Sequence, residues 1–161
     1  MNTKKICVIG DFGVGKTSLV ARFVHHAFSD KYLSTVGVSI KTKIVRLDTS
    51  QQVKLIIWDI AGEDALSSTA ERYLRGANGL LVVADGTRPA TLETADKLLL
   101  EAQSKIGEVP AIRLINKADL TQEWAATELT ETSAIKDMVT TSAKTGLNVE
   151  AAFEQMAGSL V

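Results

Sequence analysis

Cysteine is nearly absent from this 161-residue chain. Cys7 is the only one, so no internal disulfide can form. It lies in the apolar run KICVIG (5–10), where a lone thiol is expected to pack as a small hydrophobe, and a reducing, cytoplasmic setting is expected with it. Aromatic residues are also few, at 5%, which leaves the core to Leu, Ile, Val and Ala. Charge of either sign barely dominates: the net value is −1. That balance argues against a general binder of nucleic acid or anionic lipid, which needs clustered Lys and Arg. No apolar stretch approaches the ~18 residues of a membrane span. The opening MNTKK does not read as a signal peptide, and the closing MAGSLV has neither a prenylatable cysteine nor a basic tail. No direct membrane anchor is expected, and membrane association would need a missing tail or a partner.

What is present reads as one domain, 1–161, of ordinary globular composition: 45% apolar and 23% charged. Short apolar runs alternate with helix-like segments. KKICVIG (4–10) reads as a buried strand, followed by a glycine-rich loop and a helix from about Lys16 to His25. Val36, Val38, Ile40, Thr42 and Ile44 alternate with mostly polar residues, the pattern of a half-solvated antiparallel strand. DTSQ (48–51) then supplies turn chemistry, so 36–59 should form a hairpin. GLLVVAD (79–85) and PAIRLIN (110–116) are two more buried strands, with Arg113 out of place in the second. Leu92, Ala95, Leu98, Leu99, Ala102 and Ile106 share one helical face, as do Val149, Ala152, Phe153, Met156 and Leu160. A short strand is expected within KDMVTT (136–141). This order predicts an α/β fold: a six-stranded, mostly parallel sheet with one antiparallel edge strand and helices on both faces. Ligands of such sheets bind at the carboxyl ends of the strands, where every motif below falls.

GDFGVGKT (10–17) matches G-x-x-x-x-G-K-[ST] between a strand and a helix. Successive N–H groups and the helix N-terminus make an anion cradle, and glycine lets backbone approach phosphate closely. Lys16 suits β- and γ-phosphate oxygens, and the Thr17 hydroxyl suits Mg²⁺. NKAD (116–119) follows the fifth strand. An ionised Asp119 only accepts hydrogen bonds, which matches the two adjacent donors of guanine. The Lys117 stem can cover a base face, and Asn116 can tie neighbouring loops together. In WDIAGED (58–64), Asp59 stands where a carboxylate holds Mg²⁺ through water, and the Gly62 N–H could meet a γ-phosphate. Thr35 is a candidate second metal ligand.

Together these segments resemble a Ras-superfamily small GTPase, most like the Rab branch. GDFGVGKT, STVGVSIKTK, KLIIWDIAGED, RYLRGANGLLVVAD, NKAD and TSAKTGLNVEAAF stand in that family's order and spacing over essentially the whole chain. The resemblance implies a P-loop NTPase (small G-protein) fold and a switch that binds GTP or GDP with Mg²⁺ and hydrolyses GTP. It implies phosphate contacts from Gly13, Val14, Gly15, Lys16, Thr17 and Ser18. Phe28 is then expected to stack on the guanine opposite Lys117, with Asn116 and Asp119 beside it. The Ala143 N–H is expected to reach the base, supported by Ser142 and Lys144. Thr17 and Thr35, with Asp59 through water, are the implied metal ligands; Lys16, Thr35, Gly62 and Glu63 are the implied catalytic set. Switch I spans about 29–40 and switch II about 60–74, and these would engage effectors, exchange factors and activating proteins. A monomer is expected.

A second ETSA occurs at 131–134 but lacks the KTG that follows Ala143, so the base contact is assigned to 142–144. The stretch between Asp119 and Ser142 is short for the family, and its helix is expected to be reduced. Glu63 replaces the glutamine that orients water, Phe12 replaces a small P-loop residue, and the prenylated tail is absent. No arginine for transition-state charge is evident within switch I, where Lys31 is the nearby cation, so a partner is expected to supply it. Slow hydrolysis is therefore expected. A module of the same fold that holds nucleotide without hydrolysing it stays open, as does, more remotely, a P-loop kinase or ATPase.

Overall fold

The computed structural model describes residues 1–31, 35–64, 67–123 and 138–161, with the side chains at 63 and 121–123 outside that set. Six strands form one sheet: β1 (Asn2–Gly10), β2 (Val38–Arg46), β3 (Gln52–Ile60), β4 (Gly79–Asp85), β5 (Ala111–Asn116) and β6 (Val139–Thr140). Their order is β2-β3-β1-β4-β5-β6, with β2 antiparallel to β3 and every other pair parallel. The helices among the described residues are α1 (Lys16–His25), α2 (Ser68–Leu74), α3 (Ala90–Ile106) and α4 (Val149–Ser159).

Alternation along the strands assigns each side chain to one of two cores. Ile6, Val8, Leu81 and Val83 face α1 and α4, where the Phe23 and Phe153 rings stack with centroids 4.0 Å apart. Cys7, Ile9, Leu80, Val82 and Ala84 face α2 and α3, meeting Leu74, Ala95, Leu98 and Ala102. With both faces covered, β4 and the second half of β1, from Ile6 on, have no polar side to show, and these stretches are accordingly near-continuous apolar runs. Cys7 is fully buried among them, and that burial pushes its thiol up to about 12, against the pull of nearby Lys5.

The alternating hairpin forms, and although Val38 packs against the α2–α3 core, the rest of its apolar stripe is exposed. Ile40 and Ile44 are about half exposed and Val36 almost wholly so, whereas Val45, of the opposite parity, is buried. β2 is the edge strand, and its inner face is completed by the Lys43 stem, whose ammonium lies 4.2 Å from the Phe23 ring centroid. Arg113 also finds a place: its Nη1 donates to Asp96 Oδ1 on α3 at 2.8 Å. No helix among the described residues is long and apolar enough to cross a membrane.

Three expectations fall outside the described residues. They are the second ETSA, the reduced helix expected between Asp119 and Ser142 so far as it falls in 124–137, and the first two residues of KDMVTT. Short pieces of both segments expected to be switches, 32–34 and 65–66, lie outside them too.

Candidate nucleotide site

β1 sits between β3 and β4, so the chain leaves the sheet centre in opposite directions on its two sides and opens a crevice at the carboxyl end. The loop 10–17 fills that end. Gly15 takes φ +103° at the N-cap of α1, and no side chain caps the helix. The uncapped N–H groups are left for an anion. A Cβ on Gly15 would lie 2.3 Å from Asn116 Nδ2, so the close approach of loop to β5 also demands glycine. Lys16 is buried, and its Nζ donates to the Asp11 carbonyl at 2.8 Å. Burial pulls its pKa down to about 8, opposed by Asp59 and Asp11 and helped by Arg88. A cation desolvated in an anion cradle gains strongly from a phosphate placed beside it.

Beneath the loop, Asp59 at the end of β3 is 1% exposed. Its Oδ2 accepts from the Thr17 hydroxyl at 2.6 Å and from the Thr35 hydroxyl at 3.2 Å, and the two hydroxyls touch each other. Its Oδ1 is buried with no hydrogen-bond partner among the described residues. Burial raises the Asp59 pKa, against the hydroxyls and Lys16. An orphaned carboxylate oxygen beside two hydroxyls is the all-oxygen donor set of a hard divalent cation. Gly62 packs against the P-loop: a Cβ there would fall 2.5 Å from the Phe12 nitrogen. The side chain of Glu63 lies outside the described set.

The opposite end is built from β5 and the loop after β6. Asn116 Nδ2 donates to the Val14 carbonyl at 3.0 Å, and its Oδ1 accepts from the Thr141 hydroxyl at 3.1 Å. The same Oδ1 accepts from the Ala143 N–H at 3.3 Å, so a base would have to share or displace that bond. Ser142 Oγ donates to Asp119 Oδ1 at 2.8 Å, holding the carboxylate that sequence reasoning assigned to guanine. Arg22 of α1 donates to the Ala143 and Lys144 carbonyls and ties the TSAK loop to the P-loop helix. Lys117 takes φ +72°, a strained conformation for a side-chain-bearing residue. Its Nζ reaches Asp85 Oδ2 at 2.8 Å.

A cavity of about 300 Å³ joins these ends. Its walls include Gly13, Gly15, Lys16, Thr17 and Ser18 from the loop, with Thr35 and Gly62. Phe28, Asn116, Lys117, Asp119, Ala143 and Lys144 close the other end. Phe12 also lines it, at 46% exposure. Three expected residues stand back from the wall: Val14 is a core residue, Asp59 lies under the P-loop, and Ser142 sits behind Asp119. The sequence model of the Ras family matches residues 5–161.

The chain belongs to the Ras family. Its curated relatives include a Ras-related protein Rab-32A of Dictyostelium discoideum, 36% identical over 92% of this chain and 73% of that protein. The GTP-binding protein ypt5 of Schizosaccharomyces pombe is 40% identical over 98% of this chain and 77% of its own. The Ras-related protein Rab-26 of Bos taurus is 38% identical over 97% of this chain and 63% of that protein. As a small GTPase of Rab-like sequence, the chain is a GTP-binding, GTP-hydrolysing switch.

Two polar residues of this Ras-family site escaped the sequence reading. Asp85 is wholly buried, and its Oδ2 receives both Lys117 Nζ and, at 3.1 Å, Arg88 Nε. The available signal was a carboxylate ending an apolar strand at the same sheet edge as every motif. Arg88 had no such signal, because the contact that ties it to the P-loop, the Phe12 carbonyl, lies 76 residues away in sequence.

Proposed function

We infer that the cavity holds a guanine nucleotide with its phosphates in the 13–18 loop and its base between Phe28 and Lys117. The observation that carries this reading is the one continuous cavity, with Lys16 at one end and Asp119, braced by Ser142, at the other. Asp119 accepts the two guanine donors; Ala143, Lys144 and Asn116 frame the base. Mg²⁺ would be held by Thr17 and Thr35, with Asp59 behind them, and it would neutralise β- and γ-phosphate oxygens. Lys16 and the loop amides stabilise phosphate charge as water attacks the γ-phosphorus in line, and the Gly62 N–H presents itself to the same phosphate. Glu63 occupies the water-orienting position. An ionised carboxylate cannot donate to phosphoryl oxygens and meets like charge, so turnover is slow.

Switch I (about 29–40) and switch II (about 60–74) engage effectors, exchange factors and activating proteins, the last supplying the missing arginine. The outward Ile40, opposite half-buried Trp58 on β3, and the exposed Ile44 further along β2 offer apolar area for such partners. The protein acts as a cytoplasmic monomer. Two measurements test the reading together. Asp119→Asn should lose GDP affinity sharply while gaining relative affinity for xanthosine diphosphate, whose extra carbonyl matches the amide. Single-turnover hydrolysis should accelerate in Glu63→Gln. Unchanged GDP affinity removes Asp119 from the site, and a slower Glu63→Gln shows that the glutamate assists.

A further inference from the structure

One guanidinium grips the P-loop from outside the cavity. Arg88 lies on the connection from β4 to α3 and is not part of the cavity wall. Its Nη2 donates to the Phe12 carbonyl at 2.6 Å, while its Nε bonds Asp85 Oδ2 at 3.1 Å. The anchor is rigid. Asp85 Oδ1 accepts from the Thr87 N–H at 2.8 Å and the Thr87 hydroxyl at 2.7 Å. The Thr91 hydroxyl, 2% exposed, accepts from the Asp85 N–H at 2.8 Å and donates to the Arg88 carbonyl at 2.7 Å. Both ends of Arg88, backbone and guanidinium, are therefore fixed to one buried cluster.

A peptide unit is planar and trans, so its carbonyl and its N–H point in opposite directions. The Phe12 carbonyl shares its unit with the Gly13 N–H. Arg88 stands outside the cavity lining and holds that carbonyl, while Gly13 at the other half of the unit lines the wall, so the bond favours a Gly13 N–H turned toward the cavity. Gly13 sits at φ +73°. Glycine carries no Cβ to oppose rotation of the preceding peptide, so a bond on the Phe12 carbonyl bears directly on which way the Gly13 N–H points.

We propose that Arg88 is a positioning residue for the nucleotide: it locks the Phe12–Gly13 peptide with its N–H toward the phosphates, and through Asp85 it links that lock to Lys117 at the base end. This rests on the nucleotide-site reading above. Arg88 touches no substrate and acts only through the backbone it holds.

The test uses the GDP- and Mg²⁺-loaded protein and compares wild type with Arg88→Ala, Arg88→Gln and Arg88→Lys. Two quantities are read: the GDP release rate, and the Gly13 and Gly15 amide resonances with and without GDP. Arg88→Ala should release GDP about tenfold faster, the effect of one charge-assisted hydrogen bond. Its Gly13 amide should lose most of its GDP-dependent displacement while Gly15 keeps its own. Arg88→Gln, which retains an amide donor without charge, should fall between, and Arg88→Lys should recover more. If the alanine variant does not fold, the glutamine and lysine variants carry the same comparison. A folded Arg88 variant with wild-type release and a wild-type Gly13 resonance overturns the proposal, even if its melting temperature has dropped. Failure of the underlying reading looks different: wild type itself would then show no GDP-dependent displacement at either glycine.

Discussion

Asp59 and Asp85 end neighbouring regions of the same sheet, one at β3 and one at β4, and both are almost wholly buried. Their surroundings differ in kind. Asp85 is met by two cations and by the N–H and hydroxyl of Thr87, so both oxygens are satisfied by the chain itself. Asp59 is met by two hydroxyls on one oxygen and by no partner among the described residues on the other. Burial acts on both carboxyls. At Asp85 it is outweighed by Lys117, Thr87 and Arg88, and the pKa falls; at Asp59 it prevails, and the pKa rises. A buried carboxylate the protein satisfies is a structural joint. One it leaves unsatisfied costs stability until a ligand arrives, and that cost marks it as a site.

The sharpest way to break this contrast is to remove the joint. Asp85→Ala leaves Lys117 and Arg88 without their shared anion. Losing one partner of a buried pair costs about 3–5 kcal/mol. Here the two cations are 33% and 44% exposed and can reach water, so the expected loss is near 3 kcal/mol, the low end. Urea unfolding measures it. A loss below about 1 kcal/mol, the range of exposed pairs, would make Asp85 an ordinary surface partner.

Asp59→Asn should behave in the opposite way. With EDTA present, the neutral amide relieves a desolvated charge, so unfolding free energy should stay level or rise. With Mg²⁺ present, GDP retention should collapse, by roughly 100-fold if the carboxylate contributes some 2.7 kcal/mol to holding metal and nucleotide. Parallel destabilisation with and without metal would make Asp59 a second joint and end the comparison.

Acid titration separates the two by sign. The depressed pKa of Asp85 gives stability that is full above its unfolded value, ~3.9, and is lost as pH falls through the lower folded value. The raised pKa of Asp59 gives the reverse: its contribution is full below ~3.9 and is lost as pH rises through the higher folded value. In EDTA, the stability advantage of wild type over Asp85→Asn should therefore shrink below about pH 4. Any advantage of Asp59→Asn over wild type should instead shrink as pH falls toward 4 from above. Unfolding curves from pH 3 to 7 decide it, and two variants with the same pH dependence would contradict both assignments.

Much of this was legible in the sequence because it is local. The strand KICVIG, the helix from Lys16 and the loop between them follow from period, glycine placement and motif spacing, and the structure has them at those residues. Asp59 was legible as a candidate carboxylate because its motif carries it, and the structure has it buried against the Thr17 and Thr35 hydroxyls. Asp85 and Arg88 were not, since their roles arise from register: β4 lies beside both β1 and β5, which brings residue 85 level with Asn116 and near the P-loop. Which face of β2 is covered was not legible for a similar reason. Alternation says which residues share a face, but only the neighbouring helices decide which face is covered, and there the Lys43 stem does the covering.

The smallest effect comes from a third aspartate that serves as the control. Asp96 on α3 accepts from Arg113 at 2.8 Å, the same distance as the Lys117 pair at Asp85. Yet its side chain is 49% exposed and that of Arg113 is 23% exposed. Water solvates both charges when the pair opens, so little of the Coulomb attraction survives as net stability, and ordering two side chains costs entropy. Asp96→Asn should therefore cost only about 0.2–1 kcal/mol by urea unfolding, shrinking further in high salt. If burial is what separates Asp85 from an ordinary ion pair, the two substitutions must differ severalfold at equal hydrogen-bond length. Equal losses at Asp96 and Asp85 would mean that pairing alone, regardless of burial, sets the contribution, and the distinction between joint and site would then need another cause.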